Sequence, residues 1–101
     1  MDVNRALRTA AQTGDVRMGI KETEQAVASG KAKLVVLAAN IPKDAAERIK
    51  TAARTKNVAV YEFGGPNSEL GPACGKPYSV ASLSVVEAGE SDVLALARVP
   101  K

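Results

Sequence analysis

The stretch around Gly19 and Lys21 has the composition of a helix entry that binds anions. In GIKET, a glycine precedes a predicted helix and a lysine lies in the first turn of that helix. Backbone N–H groups point outward at a helix N-terminus, so a phosphate beside Lys21 would be stabilised. The G-x-x-x-x-G-K-[ST] spacing of a nucleotide-binding loop is absent. The stretch therefore predicts phosphate contact without nucleotide hydrolysis. The alternative is that Gly19 only turns the chain and Lys21 is solvated.

Two further loops contain side chains that suit nucleic-acid bases. Asn40 follows a predicted strand, where its amide can cap the next helix or form hydrogen bonds with a base edge. In KPYSVAS, Tyr78 and Val80 lie in a predicted loop, and an aromatic and a β-branched side chain there can pack against unpaired bases. The alternative is that Tyr78 and Val80 both close over the core.

Catalytic chemistry has little support in the sequence. The chain contains no histidine and one cysteine, Cys74. It therefore lacks a histidine base, the usual zinc ligand set and any internal disulfide. Without a histidine to activate it, Cys74 is predicted to be a small buried thiol. No catalytic residue, metal or cofactor is expected.

The positive charge lies in the first half of the chain. Residues 1–57 contain 11 Lys and Arg against 6 Asp and Glu, a net charge of +5, whereas residues 58–101 contain 3 against 5, a net charge of −2. This asymmetry favours a localised anion-binding face over a uniformly basic surface. The alternative is an ordinary solvated surface.

Helix and strand patterns alternate along the 101 residues, which suit one domain over 1–101. Helices are predicted from residue 3 to a stop at Gly14, and over 21–29, 43–56 and 68–75. Strands are predicted over 15–19, 32–40, 58–63 and 82–88. No element is assigned to 91–97. Gly30 is expected to end the second helix, Pro42 to lie near the first turn of the third, and Asn67 or Ser68 to cap the fourth.

Helices between successive strands require crossovers, so the pattern predicts an α/β fold, a three-layer α/β/α sandwich with a partly parallel sheet. The continuous apolar run in residues 32–40 indicates a central strand covered on both faces. No run reaches the length of a membrane span and no signal peptide is visible, so a soluble intracellular protein is expected. Ligand-binding loops in such folds gather at one edge of the sheet, and the loops named above are expected to converge there.

Taken together, MGIKET, GKAKLVVLAANIP and GGPNSELGPACGKPYSVASLSVVEAGESDVLA resemble, almost end to end, the large-subunit ribosomal protein thirty family of the eukaryotic and archaeal series. That family lies within a wider superfamily of kink-turn RNA binders. The resemblance implies a mixed four-stranded sheet in an α/β/α sandwich. It also implies a non-catalytic constituent of the large ribosomal subunit in the cytoplasm, a monomer when free, with ribosomal RNA and large-subunit proteins as partners. An RNA-binding adaptor in another ribonucleoprotein is the alternative, and a small metabolite enzyme the remaining class.

The resemblance also assigns RNA-contact positions, which fall here on Gly19, Lys21, Asn40, Asn67, Tyr78 and Val80. It implies that the Gly19 entry holds a sharply bent RNA backbone, that Lys21 binds phosphate or base, and that Asn40 reads a base edge. A basic residue of some members falls on Ala45, so that contact is expected to be either lost or taken up by Lys43. Pro72 departs from the family pattern and is expected to delay the start of the short fourth helix or to kink it.

Overall fold

The computed structural model describes residues 2–98. The elements follow the order α1 (Val3–Thr13), β1 (Asp15–Met18), α2 (Ile20–Ala28), β2 (Leu34–Leu37), α3 (Lys43–Thr55), β3 (Ala59–Glu62), α4 (Asn67–Ala73) and β4 (Ser82–Glu87). A terminal 3₁₀-helix, Val93–Arg98, occupies the segment to which the sequence pattern assigns no element. The predicted alternation of helix and strand is confirmed, and no helix within 2–98 has the length and hydropathy of a bilayer span.

The four strands form the mixed sheet that was predicted, and their order in it is β1-β4-β2-β3. Strand β4 pairs antiparallel with both β1 and β2, and β3 pairs parallel with β2. The strand β2 therefore lies inside the sheet, in agreement with the continuous apolar run in its sequence. It is shorter than predicted, because the N–H of Ala38 donates to Ala81 O and that of Ala39 to Gly65 O, outside the regular ladder.

Helices cover both faces of the sheet. Leu34 and Val36 point into a core shared with α1, α4 and the 3₁₀-helix, while Val35 and Leu37 point into a second core shared with α2 and α3. Successive side chains of a strand point to opposite faces of the sheet. Because helices cover both faces, all four residues of β2 are buried. The predicted three-layer α/β/α sandwich is confirmed.

Two predicted helix ends are observed. Helix α1 ends at Gly14, whose N–H donates to Ala10 O. Helix α2 closes through Gly30, which has φ 76°, and the N–H of Lys31 donates to Ala26 O at 3.0 Å. A 6→1 hydrogen bond of this kind, made by the residue that follows a glycine in the left-handed conformation, defines the Schellman motif at a helix C-terminus.

Two expectations about α4 are wrong. Its N-cap is Pro66, so neither Asn67 nor Ser68 caps it. The helix also begins at Asn67, so the late start, one of the two effects expected of Pro72, is not observed; Pro72 lies in the last turn, and a kink there stays a prediction. A proline there removes only the hydrogen bond that its own nitrogen would make, and the start of the helix is unaffected.

Candidate nucleic-acid interface

The loops that carry the predicted contact residues meet at one edge of the sheet, hereafter the loop edge. In the strand register, Met18 lies opposite Leu83, and Leu37 lies opposite both Ser82 and Glu62. The ends of β1, β2 and β3 and the start of β4 therefore coincide. The loop edge thus consists of the start of α2 and the loops over 38–42, 63–66 and 76–81.

Gly19 is fixed on both sides. Its N–H donates to Ser82 O at 2.7 Å, and its carbonyl accepts bonds from the Thr23 N–H at 2.9 Å and the Thr23 hydroxyl at 2.7 Å. The Ser82 hydroxyl donates to Thr23 Oγ1 at 3.1 Å in the buried interior. Gly19 has φ 109°, and no atom lies within 4 Å of where a Cβ would stand. Helix α2 thus begins at an anchored glycine with open space beside it.

The N-termini of α2 and α3 carry exposed lysines at the loop edge. No side chain caps α2 at Gly19 or α3 at Pro42. Lys21 and Lys43 are both exposed, and neither forms an ion pair with a residue of 2–98. Free backbone N–H groups beside an ammonium group favour an anion such as phosphate. Ala45 is buried at 4% exposure, so the basic contact of some family members has no surface counterpart at that position.

Asn40 and Asn67 form a reciprocal pair. The Asn67 N–H donates to Asn40 Oδ1 at 2.8 Å, and Asn40 Nδ2 donates to Asn67 Oδ1 at 3.1 Å. Asn40 therefore caps α4, whose first residue is Asn67, and not α3, the helix that follows it in the chain. Because a backbone donor identifies the Asn40 oxygen, the amide hydrogens left over on both side chains are donors. Donors suit acceptor atoms on a base edge or a phosphate.

Tyr78 and Val80 have different environments, although the resemblance assigns RNA contact to both. Tyr78 is 53% exposed, and within residues 2–98 it is the one large hydrophobic residue that is exposed. Val80 is 3% exposed and lies in the core under α1 and α4, and its N–H donates to Asn67 O at 3.1 Å. Direct contact of Val80 with RNA stays a prediction, and its burial favours the alternative in which it closes the core. Tyr78 does not close the core.

Cys74 is buried, as predicted, at the C-cap of α4. Burial raises the pKa of its thiol to about 11, with a small opposing effect from Lys76. The thiol is therefore neutral near pH 7 and is not a nucleophile.

Three residues that position the loop edge are not apparent as such in the sequence. Thr23 and Ser82 are buried polar residues whose hydrogen bonds fix the backbone of Gly19. Gly71 allows α4 to touch the loop before β4, because a Cβ at that position would collide with the carbonyl oxygen of Tyr78. A glycine in the middle of a predicted helix is the sequence signal for such a close approach.

Comparison with known proteins supplies independent findings. The sequence model of the family described as ribosomal protein L7Ae/L30e/S12e/Gadd45 matches residues 1–95. A Methanocaldococcus jannaschii protein, described as large ribosomal subunit protein eL30, is 49% identical over 95% of this chain and 87% of its own length. A Methanothermobacter thermautotrophicus protein of the same description is 44% identical over 93% of this chain and 96% of its own.

A solved structure shares the fold. It belongs to a Bacillus halodurans protein described as having unknown function, and it superimposes with a TM-score of 0.83. The match covers 97% of this chain and 98% of the other, at 24% sequence identity.

Proposed function

The chain belongs to the ribosomal protein L7Ae/L30e/S12e/Gadd45 family, and on this basis we propose that it is a structural constituent of the large ribosomal subunit that binds ribosomal RNA at a kink-turn or internal loop. It is not an enzyme. Its partners are ribosomal RNA and other large-subunit proteins in cytoplasmic ribosomes. It acts as a single domain over residues 1–101 and is a monomer when free.

The observation that carries this proposal is the meeting of unlike contact groups at the loop edge. Three kinds of contact group lie at the loop edge: uncapped helix N-termini with exposed lysines, an asparagine pair with unused amide hydrogens, and an exposed aromatic ring. Hydrogen bonds join the loops of this edge to one another. Phosphate contacts position an RNA, whereas base contacts and stacking specify it. The loop edge offers both kinds of contact.

Each predicted contact residue has a role in this proposal. Gly19 lets the RNA backbone approach the start of α2, where Lys21 binds a phosphate or a base. Lys43 binds phosphate at the start of α3. Asn40 and Asn67 donate to a base edge, and the Tyr78 ring stacks on an exposed base. Val80 is buried in the core next to this loop, so its part in RNA binding is to hold the loop in place.

The small apolar area exposed on the surface supports the proposal that the free protein is a monomer. Within residues 2–98, Tyr78 is the exposed large hydrophobic residue, and it lies at the loop edge. A stable homodimer needs a sizeable apolar patch, and one ring does not provide it.

Titration with two RNAs tests the function. The protein should bind a kink-turn RNA more tightly than a continuous duplex of matched composition. Lys21→Ala should weaken kink-turn binding, whereas Arg5→Ala, which removes an exposed charge on α1, should not. Tyr78→Ala should cost about 1–3 kcal/mol of binding, and Tyr78→Phe should retain the affinity because it keeps the stacking ring. The Lys21 and Tyr78 substitutions should change the melting temperature little, since both side chains are exposed.

Equal affinity for the two RNAs would contradict kink-turn recognition. Sedimentation of the tagged protein in a cell extract then separates the ribosomal role from the adaptor role. Cosedimentation with large subunits is the expected result, and cosedimentation with a smaller ribonucleoprotein would support the adaptor.

A further inference from the structure

Arg8 of α1 reaches the connection between α4 and β4, beside the loop edge. Gly75 has φ 82°, and a Cβ at that position would stand 3.6 Å from Arg8 Cγ and 3.7 Å from Arg8 Nε. The arm of the arginine therefore lies across the backbone of a residue that has no side chain to hold it away. The next residue is Lys76, the first of the loop over 76–81. Two cationic residues from different elements thus meet at Gly75, where the Tyr78 loop begins.

No carboxylate of residues 2–98 pairs with these two cations. Arg8 is exposed and Lys76 is half-buried, and neither forms an ion pair with a residue of 2–98. Helix α1 contains no acidic residue, and the sequence contains none over 70–86. The guanidinium hydrogen bonds within 2–98 are made by Arg17 and Arg48. The Arg8 guanidinium therefore has all of its donors available.

The C-terminus of α4 does not account for the position of Arg8. The Gly75 N–H donates to Pro72 O at 2.9 Å, and the Lys76 N–H donates to Gly71 O at 3.0 Å. These two bonds make a Schellman motif, which satisfies carbonyls at the end of a helix with backbone donors. Arg8 is therefore not needed as a cap, and the cationic groups of Arg8 and Lys76 are left for an anion from outside the chain.

The neighbouring Tyr78 ring indicates which anion this is. Lys76 and Tyr78 are two residues apart, at most about 7 Å along the chain. A nucleotide whose base stacks on the exposed ring carries a phosphate on either side of its sugar, within reach of this lysine. The planar guanidinium of Arg8 suits a phosphate, with which it forms two parallel hydrogen bonds. The two cations are thus continuous with the proposed RNA site.

We propose that Arg8 and Lys76 bind the phosphates that flank the base stacked on Tyr78, so that α1 forms one side of the RNA site. The inference rests on the proposed function, because the RNA is the kink-turn RNA bound at the loop edge. It also gives the path of the strand, which leaves the Tyr78 ring in the direction of α1.

Neutral-phosphate mapping tests the proposal. Kink-turn RNAs that each contain one methylphosphonate linkage are titrated with the wild type and with Arg8→Met, which keeps an aliphatic arm over Gly75 and removes the charge. Arg8→Met should bind the unmodified RNA about fivefold more weakly at ~0.1 M salt and lower the salt slope by about one. One neutral linkage should weaken wild-type binding by a similar factor but leave Arg8→Met unaffected, because the contact is already lost.

The position of that linkage is the second readout. The stacked base is the one at which an abasic nucleotide and Tyr78→Ala have non-additive effects. The linkage coupled to Arg8 should lie next to this nucleotide, and Lys76→Met should couple to an adjacent linkage. Arg5→Met is the matched control, since it removes an exposed charge from the same helix and should bind every RNA as the wild type does.

Three results would overturn the proposal: full affinity in Arg8→Met, an equal loss in Arg5→Met, or additive losses at every neutral linkage. Arg8→Lys should recover most of the affinity, and circular dichroism melts check that each variant is folded. If the wild type does not prefer the kink-turn RNA to a duplex, the proposed function fails and this inference with it. Kink-turn binding that depends on Lys21 and Tyr78 but not on Arg8 and Lys76 overturns this inference alone.

Discussion

At the residue scale, the asparagine pair has a structural duty as well as a proposed RNA contact. Asn40 accepts the first N–H of α4 through one atom and donates through the other. The cap needs only the oxygen, whereas the base contact needs the amide hydrogens. The two roles can therefore be separated by changing one atom.

Asn40→Ala removes both functions of the side chain. It should lower the free energy of unfolding by about 1 kcal/mol, the usual cost of a lost helix cap, and weaken kink-turn binding. Asn40→Asp keeps the acceptor for the Asn67 N–H, so it should restore stability but not RNA affinity, because a carboxylate has no donor and repels phosphate. Urea unfolding and RNA titration of both variants measure this. Wild-type RNA affinity in Asn40→Asp would show that the amide hydrogens are not used.

Cys74 gives the protein an alkaline sensitivity. Its pKa rises to about 11 in the folded state, so the unfolded chain releases the thiol proton at lower pH than the folded protein does. Stability from the neutral thiol is therefore complete below about pH 9 and is lost as pH rises toward 11, by about 3 kcal/mol in total. Urea unfolding at several values between pH 7 and 11 should show a steeper decline for the wild type than for Cys74→Ala. Parallel declines would show that the thiol does not contribute.

At the scale of elements, local patterns predict the helices and strands well. The apolar spacing of Val3, Ala6, Leu7 and Ala10 predicts one inner helix face, and the last three are buried while Val3 is partly buried. Gly14 and Gly30 end helices where predicted. Such features depend on neighbours within one or two turns. The sequence reports them directly.

Long-range bonds are what the local patterns miss. The cap of α4 comes from Asn40, on another loop, so a search among adjacent residues assigns it to Asn67 or Ser68. The loop edge could be predicted as a meeting of loops, because sheet topology alone brings them together. The burial of Val80 could not, since a valine in a loop has no periodic pattern that shows which way it points.

The start of α2 depends on a backbone conformation that only glycine adopts freely. Gly19→Ala introduces no clash, but its φ of 109° is costly for any residue with a Cβ. We expect a loss of about 1–3 kcal/mol in unfolding free energy, together with weaker RNA binding. Gly64→Ala is the control, because Gly64 also has open space where a Cβ would stand but does not have a positive φ. Thermal unfolding of both variants checks this, and equal melting temperatures would rule out the strain.

At the scale of the whole molecule, positive charge lies at both ends of α3, at Lys43 and at Arg54 and Lys56. The proposed contacts at the loop edge release counterions from RNA when phosphates are neutralised. The logarithm of the kink-turn association constant should therefore fall linearly with the logarithm of salt concentration. Lys21→Ala should reduce that slope by about one. Fluorescence titration over low to moderate salt measures it, and a flat response would exclude phosphate contact as a major source of affinity.

The position of β4 in the chain has a consequence for synthesis on the translating ribosome. Strand β4 is the last strand to be made, yet it lies between β1 and β2 in the sheet, and its first residue, Ser82, holds Gly19. A nascent chain emerges from its N-terminus, so β1 has no neighbour until residues 82–87 are free. A chain that ends earlier lacks β4, so β1 is not joined to β2, and the N–H of Gly19 loses its acceptor, Ser82 O. We therefore expect RNA binding to require synthesis through β4, and truncated chains that end before residue 82 not to compete for the RNA site.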